Sequence, residues 1–192
     1  YLISQNGGSK TPLTGASRPS SNTPAKAKFV RADTIEARAR RIRDLTRKGG
    51  SDVRIRELAL LILTQRCGKR WCVAKNDHRG EAIQLFEYVR QTVRYTRDPI
   101  EHDTYVSAYR TLTDWKGGDC DDMTIALGAL LMSVGYPVVL EIVQTPPYQN
   151  YNHIYLAAVF PNGTEIHLDP TVDYPAGWEP PQILKKLRVS VL

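Results

Sequence analysis

Three side chains of this 192-residue chain have types and neighbours that suit covalent chemistry: Cys120, His153 and Asp169. Cys120 follows Gly117-Gly118-Asp119 and opens an apolar run that ends at Gly135. Asp119 is a good N-cap, and Asp122 three residues on can complete a capping-box-like pair. Cys120 therefore falls in the first turn of a helix, where unpaired backbone N–H groups favour the nucleophilic thiolate. Asp119, Asp121 and Asp122 oppose it by repelling negative charge. The thiolate then needs a cationic partner, and histidine is the usual one. A histidine on one strand and an aspartate on the next would complete a nucleophile, a base and an orienting carboxylate. The backbone N–H of Cys120 can hold a developing oxyanion. Trp115, Gln149 and Asn152 are open candidates for a second donor.

The elements that must position these residues are legible as periodicities. Ile125, Ala126, Ala129, Leu130 and Val134 repeat at helical spacing, Gly135 supplies a C′ residue, and Pro137 stops the helix. The period then changes to strands at 138–144, 153–160 and 164–169. Pro161-Asn162-Gly163 decides the register of the last two. A two-residue Asn-Gly turn would place Asp169 on the face away from His153. A three-residue loop, with Pro161 and Asn162 in a type I turn and Gly163 left-handed, pairs Phe160 with Thr164 and Tyr155 with Asp169. The loop chemistry favours the second. Asp169 then lies diagonal to His153 on one face, with Ile154, Leu156, Phe160, Ile166 and Leu168 on the other. His167, the rival base, lies closer to the turn. His153, His167 and Asp169 could also imitate a two-histidine, one-carboxylate metal site, but that would leave Cys120 unexplained. No metal or other cofactor is expected.

Upstream, a helix is expected from Asp33 to Lys48, capped by Asp33 and Glu36. Its apolar stripe is Ile35, Ala39, Ile42 and Leu45, and Gly49-Gly50 ends it. Its other face carries Arg38, Arg40, Arg41, Arg43, Arg47 and Lys48. A second helix, capped by Ser51 or Asp52, runs towards Gly68 and is apolar enough to be buried. Residues 71–79 read as a loop. A third helix spans about Gly80 to Tyr95, broken by Asp98-Pro99. Residues 100–114 read as an irregular connection. Residues 175–192, with Pro175, Pro180 and Pro181, read as a wrapping tail holding a short helix or strand.

The net charge of +6 hides an asymmetry. Residues 1–100 hold 21 Lys+Arg and 9 Asp+Glu, or +12, and residues 101–192 hold 5 and 11, or −6. Nucleic-acid contact through Arg38–Lys48 and a solvated helix face are both open readings. Three cysteines make no disulfide framework, and Cys67 and Cys72 read as core or half-exposed thiols. No apolar run reaches membrane-spanning length, and no signal-peptide pattern opens the chain. Residues 1–30 are rich in Ser, Thr, Gly, Pro and Lys with no apolar period. A partner surface is expected to hold this arm.

Gly117-Gly118-Asp119-Cys120-Asp121-Asp122, with the helix ending Ser133-Val134-Gly135-Tyr136-Pro137, resembles the nucleophile segment of the transglutaminase-like superfamily. Asn152-His153-Ile154-Tyr155 resembles its histidine strand, and Leu168-Asp169-Pro170-Thr171 its Asp-Pro-Thr strand. Glu81 to Pro99 is similar to the helix before this core in short bacterial and phage-encoded members. The resemblance implies a papain-like α+β fold, with the cysteine helix packed on an antiparallel sheet, and a Cys120–His153–Asp169 triad. It implies a core over 78–174, leaving an arm at 1–30, a basic helical extension at 31–77 and a tail at 175–192. Members include crosslinking enzymes, peptidases, amidases and inactive copies. Thiol-dependent acyl transfer or hydrolysis of a protein or peptide is the leading expectation, with no calcium requirement. The likeness to phage-encoded members, together with the arm, points to a virion component assembled in the bacterial cytoplasm, its arm meeting other virion proteins. A connector protein of this fold without required catalysis is the alternative.

Overall fold

A computed structural model describes residues 34–97 and 105–192. The arm at 1–30, the Asp33 cap and the Asp98-Pro99 break lie outside the described residues. The elements are α1 (Ile35–Gly50), α2 (Val53–Leu63), a hairpin of β1 (Arg66–Cys67) and β2 (Arg70–Trp71), α3 (His78–Thr92), β3 (Arg94–Tyr95), α4 (Ala108–Arg110) continuing as one wide helical turn Thr111–Trp115, β4 (Gly117–Gly118), α5 (Cys120–Ser133) and strands β5 (Val138–Gln144), β6 (His153–Val159), β7 (Glu165–Leu168) and β8 (Lys185–Ser190). The fold is α+β. Four antiparallel strands in the order β7-β6-β5-β8 carry helices on one face. Among the described residues, no helix is long and apolar enough to cross a membrane.

α5 is the hub. Every residue from Cys120 to Ser133 except Met132 is buried, because α1, α2, α3 and β6 each pack against it. A helix apolar all round needs partners all round. α1 meets it through glycine rather than merely ending there: a Cβ on Gly49 would sit 2.7 Å from the Ala129 Cβ, and one on Gly50 would sit 2.7 Å from the Met132 Cβ. The pair thus serves helix approach. Ala39 and Ile42 of α1 and Ile55, Ala59 and Ile62 of α2 join the same core cluster as α5 and the sheet.

The hairpin register is the one the three-residue loop requires. Leu156 pairs with Leu168 and Val159 with Glu165. Phe160 N donates to Thr164 O at 2.8 Å, and Gly163 has φ +79°. Ile154, Leu156, Ile166 and Leu168 face the core, and the tail supplies β8, paired with β5.

Three expectations are corrected. Cys67 and Cys72 are joined in a disulfide, because the β1–β2 turn, with Gly68 at φ +70°, brings their Cα atoms to 4.9 Å. α2 is buried on one side only, with Val53 65% and Leu61 68% exposed, since nothing described covers its outer face. Residues 108–115 are helical rather than irregular, with Thr111 and Thr113 hydroxyls bonding back to Ser107 and Tyr109 carbonyls. Among the described residues, Thr34 caps α1, its Oγ1 accepting from Ala37 N at 3.2 Å.

Candidate active site

The tip of α5 is delivered by a short parallel ribbon. Arg94 N donates to Lys116 O and Thr96 N to Gly118 O, both at 2.8 Å, so β3 fixes the approach of Gly117-Gly118. A Cβ on Gly118 would come 2.5 Å from the Asp122 Cβ, so only glycine fits this turn. Asp119 caps the helix, accepting from Asp121 N at 2.9 Å and Asp122 N at 3.3 Å. Asp122 does not close a capping box; its Oδ1 accepts from Val106 N at 2.9 Å and anchors the segment before α4.

Cys120 is 8% exposed. Burial raises its thiol well above the usual range, and Asp121 and Asp119 push the same way. The Arg38 guanidinium and a hydrogen bond from the Ile154 backbone N–H oppose the shift. The resting sulfur is therefore a neutral thiol, with Sγ 3.7 Å from Asp121 Oδ1. Thr124, one turn along α5, donates to Ile154 O at 3.3 Å, so the cysteine helix meets both backbone polar groups of Ile154 in β6.

His153 is the residue before Ile154 and the first of β6. Its Nε2 lies 2.6 Å from Asp169 Oδ2, the diagonal contact expected from the register. Asp169 is 3% exposed, and its other oxygen accepts from Thr171 N at 3.1 Å and Thr171 Oγ1 at 2.6 Å. A carboxylate so held accepts from Nε2–H and leaves Nδ1 with the lone pair, the tautomer a base needs. His153 and Asp121 also line one void of about 10 Å³, the room of a single water, together with Arg38, Ile35 and Tyr151. On its other side His153 borders a groove of about 540 Å³ walled by Tyr95, Pro146, Tyr148, Trp178 and Pro180. Trp178 is braced there by a parallel stack on Tyr174, centroids 4.4 Å apart.

Two of the other candidates, His167 and Asn152, are tied to other partners. His167 Nδ1 lies 3.2 Å from Glu179 and its Nε2 3.8 Å from Glu141. Asn152 is tied to Thr145, accepting from its N at 2.8 Å and donating to its Oγ1 at 3.0 Å. Gln149 is exposed, and Trp115 lies 52% exposed with the Arg110 guanidinium over its ring. Sequence reasoning missed two contributors, the Ile154 amide and Arg38. Arg38 reaches from α1 to Asp121, its Nε and Nη2 at 3.0 and 2.8 Å from Oδ2. Only the i, i+4 spacing of Arg38 from Ile42, on the flank of the apolar stripe, hinted at it.

Residues 68–170 match the model of the transglutaminase-like superfamily. No curated protein sequence matches the chain. Among solved structures, a "putative protease" from Parabacteroides distasonis superposes with a TM-score of 0.51 at 10% identity, over 70% of this chain and 26% of that one. A "putative cysteine protease" from Cytophaga hutchinsonii superposes with a TM-score of 0.45 at 19% identity, over 62% of this chain and 37% of that one. The chain thus spans well under half the length of either structure.

Proposed function

We propose, from the premise that this chain belongs to the transglutaminase-like superfamily, that it is a thiol-dependent hydrolase of peptide or amide bonds. Cys120 is the nucleophile, His153 the general base and acid, and Asp169 the orienter. The observation that carries this reading is the 2.6 Å His153–Asp169 contact at the strand end beside the cysteine-bearing helix tip. His153 Nδ1 takes the proton from Cys120 Sγ, and the thiolate attacks the carbonyl carbon. The Cys120 backbone N–H faces the developing oxyanion. The imidazolium, its charge supported by Asp169, returns the proton to the leaving amine. Water, deprotonated by the same ring, then attacks the thioester carbonyl carbon and releases the acid and the thiol. The groove beside His153 has the size and the aromatic and proline walls for one extended acyl segment. That favours hydrolysis over crosslinking, which needs a second protein docked at the same time.

A particle-borne setting is part of the proposal: outside a reducing cytosol the Cys67–Cys72 bridge persists. The burial of Cys120 favours one competing reading, a particle protein that keeps the fold without turnover. A labelled peptide library read by mass spectrometry separates the two. Hydrolysis predicts water-added fragments that vanish in Cys120→Ala and His153→Ala. A wild-type chain that yields no fragments and whose thiol resists iodoacetamide leaves only the structural reading.

A further inference from the structure

The family match begins at residue 68, yet α1 sends a guanidinium into the nucleophile's surroundings. We infer that Arg38 is a positioning residue for Cys120: by clamping Asp121 it offsets the carboxylate charge beside the sulfur and so permits the thiolate. This rests on the assignment of Cys120 as nucleophile.

The geometry divides the two oxygens of Asp121 between opposite tasks. Oδ2 takes both Arg38 donors, while Oδ1 faces Sγ at 3.7 Å. Asp121 is 2% exposed, so water screens neither contact well. While the thiol is neutral, Oδ1 is a tolerable neighbour that can accept the S–H. Once the proton leaves for His153, the same oxygen becomes a like charge, which disfavours the thiolate strongly. An arginine fixed on Oδ2 offsets the carboxylate charge and keeps Oδ1 from turning further towards the sulfur. Among the described residues, the other groups around Cys120 do not replace it. Asp119, on the same helix tip, adds negative charge. Tyr95, from β3, has its phenol raised by burial and by Cys120, and so stays neutral. Ile154 contributes an amide dipole, and His153 is the proton acceptor itself, with Asp169 behind it. α1 thereby belongs to the chemistry of the site, although its sequence reads as a basic surface helix.

The test is the pH dependence of Cys120 alkylation by iodoacetamide, followed by intact mass, in the full chain. The other two cysteines are bridged, so the signal is that of Cys120. Arg38→Met should raise the midpoint by about one pH unit, with about tenfold slower alkylation at neutral pH. Arg38→Lys should keep most of the wild-type midpoint. Arg38→Met with Asp121→Asn should bring it back, because both charges are gone. A role in packing alone would leave the midpoint unmoved in Arg38→Met, or leave the double variant no better, and either result overturns the inference. If Arg38→Met loses its cooperative melting, Asp121→Asn alone decides: it should lower the midpoint, and an unchanged or raised value overturns the proposal. A wild-type thiol that resists alkylation at every pH takes down the functional reading as well. Normal alkylation with no shift in the variants takes down this inference alone.

Discussion

His153 and His167 stand on the same side of one hairpin, each against acidic side chains, and their surroundings make them different residues. His153 has Asp169 on Nε2 and, next along β6, the Ile154 amide that meets Cys120. His167 lies between Glu179 and Glu141, in a network that also holds Lys186, Arg188 and the Tyr155 hydroxyl. There Glu141 is fully buried and meets Arg188 at 2.8 Å, Arg188 reaches Glu165 at 2.5 Å, and Glu179 meets Lys186 at 2.5 Å and Tyr155 at 2.7 Å. Glu141, Glu165 and His167 lie close enough to resemble a metal cluster, but Lys186 and Arg188 occupy the place a cation would want. A histidine–carboxylate pair is thus not itself a site. It becomes one when its second nitrogen is left for a nucleophile.

The comparison can be broken by exchanging the two roles. His153→Ala should cut kcat/KM by about 10³–10⁴-fold on a peptide that the library shows to be cleaved, whereas His167→Ala should stay within about twofold. Equal losses would erase the distinction. Asp169→Asn should cost about 10²–10⁴-fold by presenting the wrong tautomer, with little change in KM, while Glu179→Gln should leave kcat/KM near wild type. On stability the order reverses. Glu141→Gln should lower the unfolding free energy by about 1–3 kcal/mol in urea titration, at the low end because Arg188 is 47% exposed and can turn to water. His167→Ala should cost about 1 kcal/mol.

The last effect concerns pH. The Cys120 thiol is raised in the fold, so its contribution to stability is complete while an unfolded thiol is still protonated. It is lost as pH rises from that ordinary value towards the folded one. Wild type should therefore lose stability relative to Cys120→Ala above about pH 9, by at most about 1.4 kcal/mol per pH unit. Parallel curves for the two proteins would mean that the sulfur sees water.

Local signals carried the hairpin and the cysteine helix. Pro161-Asn162-Gly163 selects one loop, the loop selects one register, and the register brings Asp169 to His153. Asp119 and Gly135 mark the two ends of α5 for the same reason: caps and turns are decided by neighbours in the chain. What escaped depends on distant contacts. Helical periodicity puts Arg38 among polar residues but cannot say that Asp121 waits for it 83 positions on. Gly49-Gly50 reads as a terminator because its alternative use, contact with Ala129 and Met132, is invisible along the chain. The Cys67–Cys72 bridge depends on a hairpin of only two short strands, too brief to leave a period.

The glycine contact of α1 has a mechanical side. Eleven residues separate Gly49 from Arg38, about 16 Å of stiff rod. A methyl group added at Gly49 has no room before Ala129, so the rod must tilt or slide. Its far tip would swing with it and drag the guanidinium off its acid. Damage to the reacting centre could thus begin at a place that no inhibitor or substrate would ever touch.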